Sequence, residues 1–174
     1  MQVRGFVVGA SVALGLILVA SSANAQAQTS GTRFGIEAAF ATNNDVGIGA
    51  GAFVKFHLAE VSEHAITGRV AFDYYFPSST GLYGSGYKYW ELAADALLDI
   101  VAKGTTKPYV GAGITYAHSS FSCTGCVGVG GSNTGLDIVG GLNFMADRKL
   151  MPFVEAKIEL SSGSEFIIKG GIHF

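Results

Sequence analysis

Beyond residue 25 the sequence lacks any apolar run long enough to cross a membrane as a helix, which takes about 20 residues. Charged residues make up only 14% of the chain, and 11 basic residues stand against 13 acidic ones. That balance is not typical of a nucleic-acid-binding domain. Cysteine occurs only at Cys123 and Cys126, without the further ligands of a zinc site or the strand-helix setting of a redox motif. We therefore expect no nucleic-acid partner, no metal and no cofactor.

The first 25 residues have the features of a cleaved export signal. Arg4 provides a positive start, residues 6–20 are apolar or small, and Ala23 and Ala25 fit a small-x-small cleavage site. A membrane anchor is the alternative, but the apolar run is short for a span and no basic residue flanks its carboxyl side. We expect cleavage after Ala25, which leaves residues 26–174 as a single exported domain.

The remaining chain consists of short segments in which apolar and polar residues alternate. In the last ten residues Phe166, Ile168, Ile172 and Phe174 share one parity, while the other parity is mostly polar. Such alternation gives a strand one apolar and one polar face. The fourth segment also fits an amphipathic helix over 91–102, because alanine and leucine are common there. Eight segments match the strand period, at 33–41, 48–58, 65–76, 88–100, 108–118, 135–145, 151–161 and 165–174.

Eight such strands predict an all-β fold, an eight-stranded antiparallel up-and-down transmembrane β-barrel with its apolar faces toward lipid. The interior of a barrel of this size is just wide enough for side chains, so charges there have to pair. We expect a packed polar core. The alternative is a gated pore in which Arg69 or Lys55 exchanges partners. The predicted lumen network, in which acids outnumber bases, comprises Glu37, Lys55, Arg69, Asp73, Glu91, Asp95, Asp137, Glu155, Lys157, Glu159 and Lys169.

The connections and the aromatic residues fit the same fold. The connections after the second, fourth and sixth segments are short, whereas 77–87 and 119–134 are predicted to be long external loops. The glycine-rich stretch 127–135 lacks the lysine of a phosphate-binding loop and is predicted to be flexible. Aromatic girdles are expected at both rims. One comprises Phe40, Tyr74, Phe76, Trp90, Tyr116 and Phe166, and the other Phe34, Phe56, Tyr109, Phe144, Phe153 and Phe174.

With its signal, eight alternating segments and terminal Phe174, the chain resembles the small eight-stranded outer-membrane barrels of the OmpA and OmpX type. The resemblance covers residues 26–174 and implies a monomer in the bacterial outer membrane, surrounded by its lipid. It also implies that Phe166, Ile168, Ile172 and Phe174 form the carboxyl-terminal signal read by the outer-membrane assembly machinery. A soluble lipocalin-like barrel is the main rival, but it would leave large apolar faces in water.

Two motifs suggest chemistry. His118, Ser119 and Ser120 bring to mind small outer-membrane barrels that deacylate lipid A with a His-x-Ser pair and a Glu, yet no acid follows until Asp137. We therefore predict that the chain is not an enzyme. Cys123 and Cys126 favour a small loop disulfide in an exported protein, with two free thiols as the alternative.

The sequence thus favours a structural or surface-interacting role, either stabilising the envelope or presenting its external loops to a surface ligand. A narrow, porin-like channel for small solutes or apolar molecules is the second hypothesis. A lipid-modifying enzyme is the third.

Overall fold

The computed structural model describes residues 31–42, 47–76, 86–122, 128–146, 149–161 and 164–174. The export signal at 1–25 lies outside these residues. No helix among the described residues is long and apolar enough to cross a membrane. The predicted all-β fold is confirmed, and the helical alternative for 91–102 is wrong, because most of that stretch lies in the fourth strand. The eight strands are β1 (Arg33–Ala41), β2 (Ile48–Val61), β3 (His64–Phe76), β4 (Gly86–Asp99), β5 (Lys107–Ser122), β6 (Val129–Asn143), β7 (Met151–Leu160) and β8 (Glu165–His173).

The strands form one closed barrel in chain order, and every neighbouring pair is antiparallel. Closure joins β1 to β8, where Ala38 is paired with Gly170. At the end of this seam Phe34 and Phe174 exchange two backbone hydrogen bonds of 3.1 and 2.8 Å. The seam removes the two open edges that an eight-stranded sheet would otherwise expose. We call the end near Phe34 and Phe174 the terminal rim and the opposite end the distal rim.

The narrow lumen holds large inward side chains because these lie over glycines on the neighbouring strand. Gly51 is paired with Asp73, Gly113 with Asp95, and Gly141 with Tyr109. A Cβ atom at any of these glycines would overlap the side chain of its partner. The alternation of glycine and large residues across the pairs therefore lets one barrel interior hold long charged and aromatic side chains.

The turn between β2 and β3 is shorter than the predicted polar turn at 59–64. β2 continues to Val61, with a register shift between His57 and Ala59 that leaves Leu58 out of the ladder. Ser62 then takes a left-handed backbone at φ 59° to close the hairpin. The extra residue of the bulge reverses which positions of the strand face the lumen. Beyond Leu58 the alternation seen earlier in β2 therefore no longer predicts the direction of a side chain.

The prediction of a long loop over 119–134 is wrong for most of that stretch. β5 extends through Ser122 and β6 begins at Val129, with Phe121 paired to Val129. The residues from Val129 to Thr134 are exposed on both parities, so the β5–β6 hairpin extends past the buried interior. Its glycines and serines carry no alternating signal, yet paired backbones extend through them. Cys123 and Cys126 lie outside the described residues, as does the stretch 77–85.

The girdle assignment is wrong for Tyr109 and Phe153. Both occupy the inward parity and are buried, with 1% and 4% of their surface exposed. The strands keep regular alternation at these positions, so the two rings fill the lumen near the terminal rim. The exposed aromatics include Phe40 and Phe76 at the distal rim and Phe34, Phe56 and Phe174 at the terminal rim.

Candidate functional site

The lumen is the part of the molecule where ionisable side chains converge. Every charged residue predicted to line it is buried, with an exposed fraction of at most 6%. These residues come from every strand except β5, and each lies on the inward parity of its strand. The structure groups most of them around three cations, Arg69, Lys169 and Lys157, and places the fourth cation, Lys55, among aromatic rings.

Arg69 connects β3 to two acids on other strands. Its guanidinium donates to Asp95 on β4 at 2.9 Å and to both carboxylate oxygens of Glu155 on β7 at 2.5 and 3.0 Å. The hydroxyl of Tyr109 donates to the same Glu155 at 2.7 Å. A fork of this kind, with two N–H groups on one carboxylate, is the strongest geometry for a buried ion pair. It ties opposite walls of the barrel together across the lumen.

Lys169 makes a second group beside the β1–β8 seam. Its ammonium lies 2.9 Å from Glu37 on β1 and 2.5 Å from Asp73 on β3. Both acids are buried, so the ammonium offsets part of the desolvation that their charges suffer. The group therefore links the last strand to the first and third strands through side chains as well as through the backbone ladder.

Lys157 makes the third group, closer to the distal rim. Its ammonium is 3.2 Å from Glu91, 3.5 Å from Asp137 and 3.8 Å from Glu159, and it donates to Thr115 at 2.8 Å. The Thr115 hydroxyl in turn donates to Asp137. One cation thus serves three carboxylates and a hydroxyl, which makes this the most acidic part of the lumen.

Lys55 is held differently from the other three cations. Its ammonium lies 5.0 to 5.4 Å from the ring centres of Phe53, Tyr109 and Phe153. Desolvated ammonium groups are attracted to such ring faces. Phe53 and Phe153 meet edge to face with ring centres 5.5 Å apart. Phe53 and Phe153 pack in one apolar cluster with Ala71 and Ala93, and Tyr109 packs with Leu97 and Val139 in a second. We call the ring pair Phe53 and Phe153 the apolar layer of the lumen.

Sequence reasoning missed the hydroxyl groups that complete these clusters. Tyr89 donates to Glu91 at 2.8 Å, and Tyr75 reaches the same acid at 3.4 Å. Thr115 and Tyr109 likewise bind lumen carboxylates. All four residues lie on the inward parity, and the three tyrosines each lie two residues from a charged residue, which is a signal that could have included them. Their partners, however, depend on the stagger of the strands, which alternation does not encode.

The motif considered for hydrolysis divides between two faces of β5. His118 and Ser120 share the outward parity, whereas Ser119 has the inward parity. The His118 ring contacts the hydroxyl of Ser132 on β6, with Nδ1 and Oγ 2.9 Å apart. Asp137, the next acid along the sequence, points into the lumen and binds Thr115 and Lys157. The next acid along the chain therefore lies on the opposite face of the barrel wall from His118.

Among the described residues no group of three or more histidine, cysteine, aspartate or glutamate side chains has the geometry to hold a metal ion. The acidic lumen clusters are instead occupied by the ammonium and guanidinium groups of the protein itself. They act as fixed counter-ions to the carboxylates.

The outer surface has the opposite character. Large apolar residues point outward along every strand, among them Ile48 at 61% and Leu136 at 60% exposure. The predicted carboxyl-terminal residues follow this pattern, with exposed fractions of 37 to 56% on the outward parity. They are Phe166, Ile168, Ile172 and Phe174. Buried charges inside and exposed apolar side chains outside reverse the usual arrangement of a protein in water.

A closed antiparallel barrel with this reversed distribution has the architecture of a transmembrane β-barrel. The chain is similar in structure to the amino-terminal barrel domain of OprF from Pseudomonas aeruginosa, with a TM-score of 0.61 and 14% identity over 82% of this chain and 96% of that one. It is similar to Ail, the attachment invasion locus protein of Yersinia pestis, with a TM-score of 0.55 and 15% identity over 82% and 96%. It is also similar to the outer membrane enzyme PagL, with a TM-score of 0.54 and 15% identity over 82% and 98%.

No family model matches the chain, and no curated protein matches its sequence. The structural comparisons confirm the predicted fold, that of the small eight-stranded outer-membrane barrels. At these identities the likeness concerns the fold alone. The three proteins also differ in kind, since one is described as an attachment protein and another as an enzyme.

Proposed function

We propose that this chain is a small protein of the bacterial outer membrane with a structural or surface-interacting role, exported by residues 1–25 and inserted as a monomer. The observation that carries the proposal is the reversal of polarity between lumen and outer surface. Burying one large apolar side chain is favourable by about 1.5–3 kcal/mol, and many such side chains face outward here. A lipid bilayer removes this apolar surface from water, and the barrel is therefore stable in a membrane.

The filled lumen supports a structural role over a channel. The groups around Arg69, Lys169 and Lys157 occupy the middle and distal parts of the interior, and the packed rings of Phe53 and Phe153 lie nearer the terminal rim. A narrow path for solutes would have to break buried ion pairs and displace aromatic rings at the same time. Each step costs several kcal/mol, of the order of 3–5 for one buried pair.

The β5–β6 hairpin supports a surface-interacting role. It extends past the buried interior at the distal rim, which we assign to the cell exterior. The residues from Val129 to Thr134 expose both faces of β6 there, and serine, asparagine and threonine offer hydrogen-bonding groups. Hairpins held by a rigid barrel are typical carriers of binding surfaces.

The likeness to an outer membrane enzyme supports an enzyme as the candidate from another class, and the motif at 118–120 suggests a lipid-modifying one. The placement of Asp137 favours a non-enzymatic protein, because this acid binds Thr115 and Lys157 inside the lumen and does not orient His118 on the outer face. Overexpression in a Gram-negative host followed by mass spectrometry of lipid A decides between the two. An unchanged lipid A spectrum supports the proposal, and loss of an acyl chain contradicts it.

The first test is heat-modifiability on a gel. Membrane-extracted protein without residues 1–25 is run unboiled and boiled, and its far-UV circular dichroism is recorded in detergent. A faster unboiled band with a β spectrum supports a detergent-resistant membrane barrel. Solubility without detergent, or strong helicity, contradicts membrane insertion and favours the lipocalin-like alternative.

A second test separates the structural role from the channel. Purified barrel is added to planar lipid bilayers, and single-channel currents are recorded over a range of voltages. Absence of conductance steps supports a filled lumen, whereas reproducible steps favour the channel. Cell-binding assays with a variant lacking 119–134 then test whether the distal hairpin contacts a surface.

A further inference from the structure

Six side chains form a cluster on the outward face of β4, β5 and β6 at the distal rim. Trp90 is its centre, since its ring lies 5.4 Å from that of His118 and 5.7 Å from that of Tyr116. The Ser132 hydroxyl connects the two β5 residues, accepting from Tyr116 at 2.8 Å and contacting His118 at 2.9 Å. We call the six residues the rim cluster: Lys88, Trp90, Tyr116, His118, Ser120 and Ser132.

The register places a lysine and a serine directly above these rings. Lys88 is paired with Ser120, just as Trp90 is paired with His118. Side chains that face each other across an antiparallel pair have Cβ atoms about 4.5–5.5 Å apart. The Lys88 ammonium and the Ser120 hydroxyl therefore share one small area of surface. An ammonium and hydroxyl donors at this spacing suit a phosphate group.

Within the described ranges, the distal rim carries a single exposed charge. Among the described residues of the distal rim, Lys88 is the one basic residue that is exposed. The acids Glu159 and Glu165 at the same end are buried inside the barrel. The terminal rim differs, because exposed residues of both signs occur there, such as Arg33, Glu60 and Lys103. A positive charge with no exposed acid beside it in the described part of the rim favours an anionic partner.

The apolar band begins immediately below the cluster. Leu92, Ile114 and Leu136 lie on the same outward face, one step further toward the middle of the barrel, and are 41 to 60% exposed. Tryptophan and tyrosine rings mark the level at which lipid head groups meet acyl chains. The boundary between polar and apolar surface therefore runs through the rim cluster, which suits a ligand with an anionic head and a hydrocarbon tail.

We propose that the rim cluster binds the phosphate-bearing head group of a membrane lipid. Lys88, Ser120 and Ser132 contact the phosphate, His118 and Trp90 pack against the head group, and the acyl chains lie along Leu92, Ile114 and Leu136. The inference rests on the proposed membrane location, because only then does this face meet lipid. It goes beyond that proposal by assigning a specific site on one side of the barrel.

Trp90 makes the site directly measurable, because it is the only tryptophan in the sequence. The barrel in dodecyl maltoside micelles, which contain no phosphate, is titrated with phosphatidic acid while Trp90 emission is recorded. Diacylglycerol with the same acyl chains shows whether binding needs the phosphate group. Inorganic phosphate shows whether binding needs the acyl chains. We expect saturable binding of phosphatidic acid and at least about tenfold weaker responses to the other two.

Two lysine variants provide the matched comparison. Lys88→Gln removes the charge from the cluster and is expected to weaken phosphatidic acid binding about tenfold. Lys103→Gln makes the same change at the terminal rim and should leave binding unaltered. Equal weakening by both variants would mean general surface attraction and would overturn the site. Equal binding of diacylglycerol would contradict recognition of the phosphate group. Equal binding of inorganic phosphate would contradict recognition of a lipid.

Folding is checked for each variant by heat-modifiability before titration. A barrel that keeps its faster unboiled band but gives no saturable Trp90 response to phosphatidic acid contradicts the lipid site alone. Loss of the faster band in the unaltered protein would instead contradict the proposed membrane barrel. The two failures are therefore distinguishable.

Discussion

Arg69 is the residue on which the charge balance in the middle of the lumen depends. It pairs with Asp95 and Glu155, and both acids are buried. We predict that Arg69→Leu lowers the free energy of unfolding by about 3–5 kcal/mol, because two carboxylates lose their counter-ion. Urea unfolding of the barrel in phospholipid vesicles measures the change.

Two further variants make this result specific. Lys103→Leu removes an exposed basic residue from the terminal rim and is expected to change stability by less than about 0.5 kcal/mol. Adding Asp95→Asn and Glu155→Gln to Arg69→Leu should recover part of the loss, since no unpaired charge remains. If the single and triple variants are equally unstable, the loss comes from packing and the charge argument is wrong.

At this scale the sequence indicates which residues are buried but not which residues meet. Alternation places Arg69, Asp95 and Glu155 on inward parities, and each of them is buried. Glu155 follows Arg69 by 86 positions, and the contact exists because barrel closure brings β7 opposite β3. Strand stagger and the tilt around the barrel fix such contacts, and neither leaves a mark in a single strand.

Within the β6 strand, adjacent glycines have opposite environments. Gly141 faces the lumen, where a Cβ atom would overlap the Tyr109 ring, whereas Gly140 faces outward with nothing within 4 Å of such an atom. We predict that Gly141→Ala destabilises the barrel by about 1–3 kcal/mol, because it displaces Tyr109 from Glu155. Gly140→Ala should be neutral or stabilising by up to about 1 kcal/mol.

The same vesicle unfolding assay compares the two alanine variants. Tyrosine fluorescence or amide exchange at Tyr109 gives an independent view of the displaced ring. Similar stabilities for both variants would contradict the view that inward glycines are required to make room for large lumen side chains.

Strand ends are the elements that the sequence predicted least well. β1 was predicted with its observed bounds, because its alternation ends sharply before a polar stretch. β6, by contrast, begins six residues earlier than expected, in a run of glycine and polar residues at 129–134. Apolar and polar residues do not alternate in that run, so its sequence does not predict a strand. Its strand conformation follows from pairing with β5. Tertiary pairing, absent from local sequence, decides such ends.

The whole molecule depends on the seam between β1 and β8. Ala38 and Gly170 are paired there, and both side-chain positions point outward. Paired strand residues have Cα atoms about 4.5–5.5 Å apart, which is within the range of a disulfide. In a background without Cys123 and Cys126, we predict that Ala38→Cys with Gly170→Cys cross-links on oxidation of the folded protein.

The control places the second cysteine on β7. Ala38→Cys with Ala156→Cys puts two outward thiols two strands apart, roughly 10 Å, which is too far for a bond. Non-reducing gels before and after boiling compare the two proteins. Equal cross-linking in both pairs, or none in the first, would contradict closure of the barrel at this seam.

The apolar layer near the terminal rim is predicted to be the barrier that keeps the lumen closed. Phe53 and Phe153 pack against each other, and the Lys55 ammonium lies near both rings. Replacing both rings by alanine removes most of that layer and opens room for water beside polar groups. We expect Phe53→Ala with Phe153→Ala to give conductance steps in planar bilayers, while the unaltered protein and an outward double variant, Phe40→Ala with Phe76→Ala, give none. If Phe53→Ala with Phe153→Ala still shows heat-modifiability but gives no conductance steps, the rings are not the barrier. The ion pairs around Arg69 would then be the groups that close the interior.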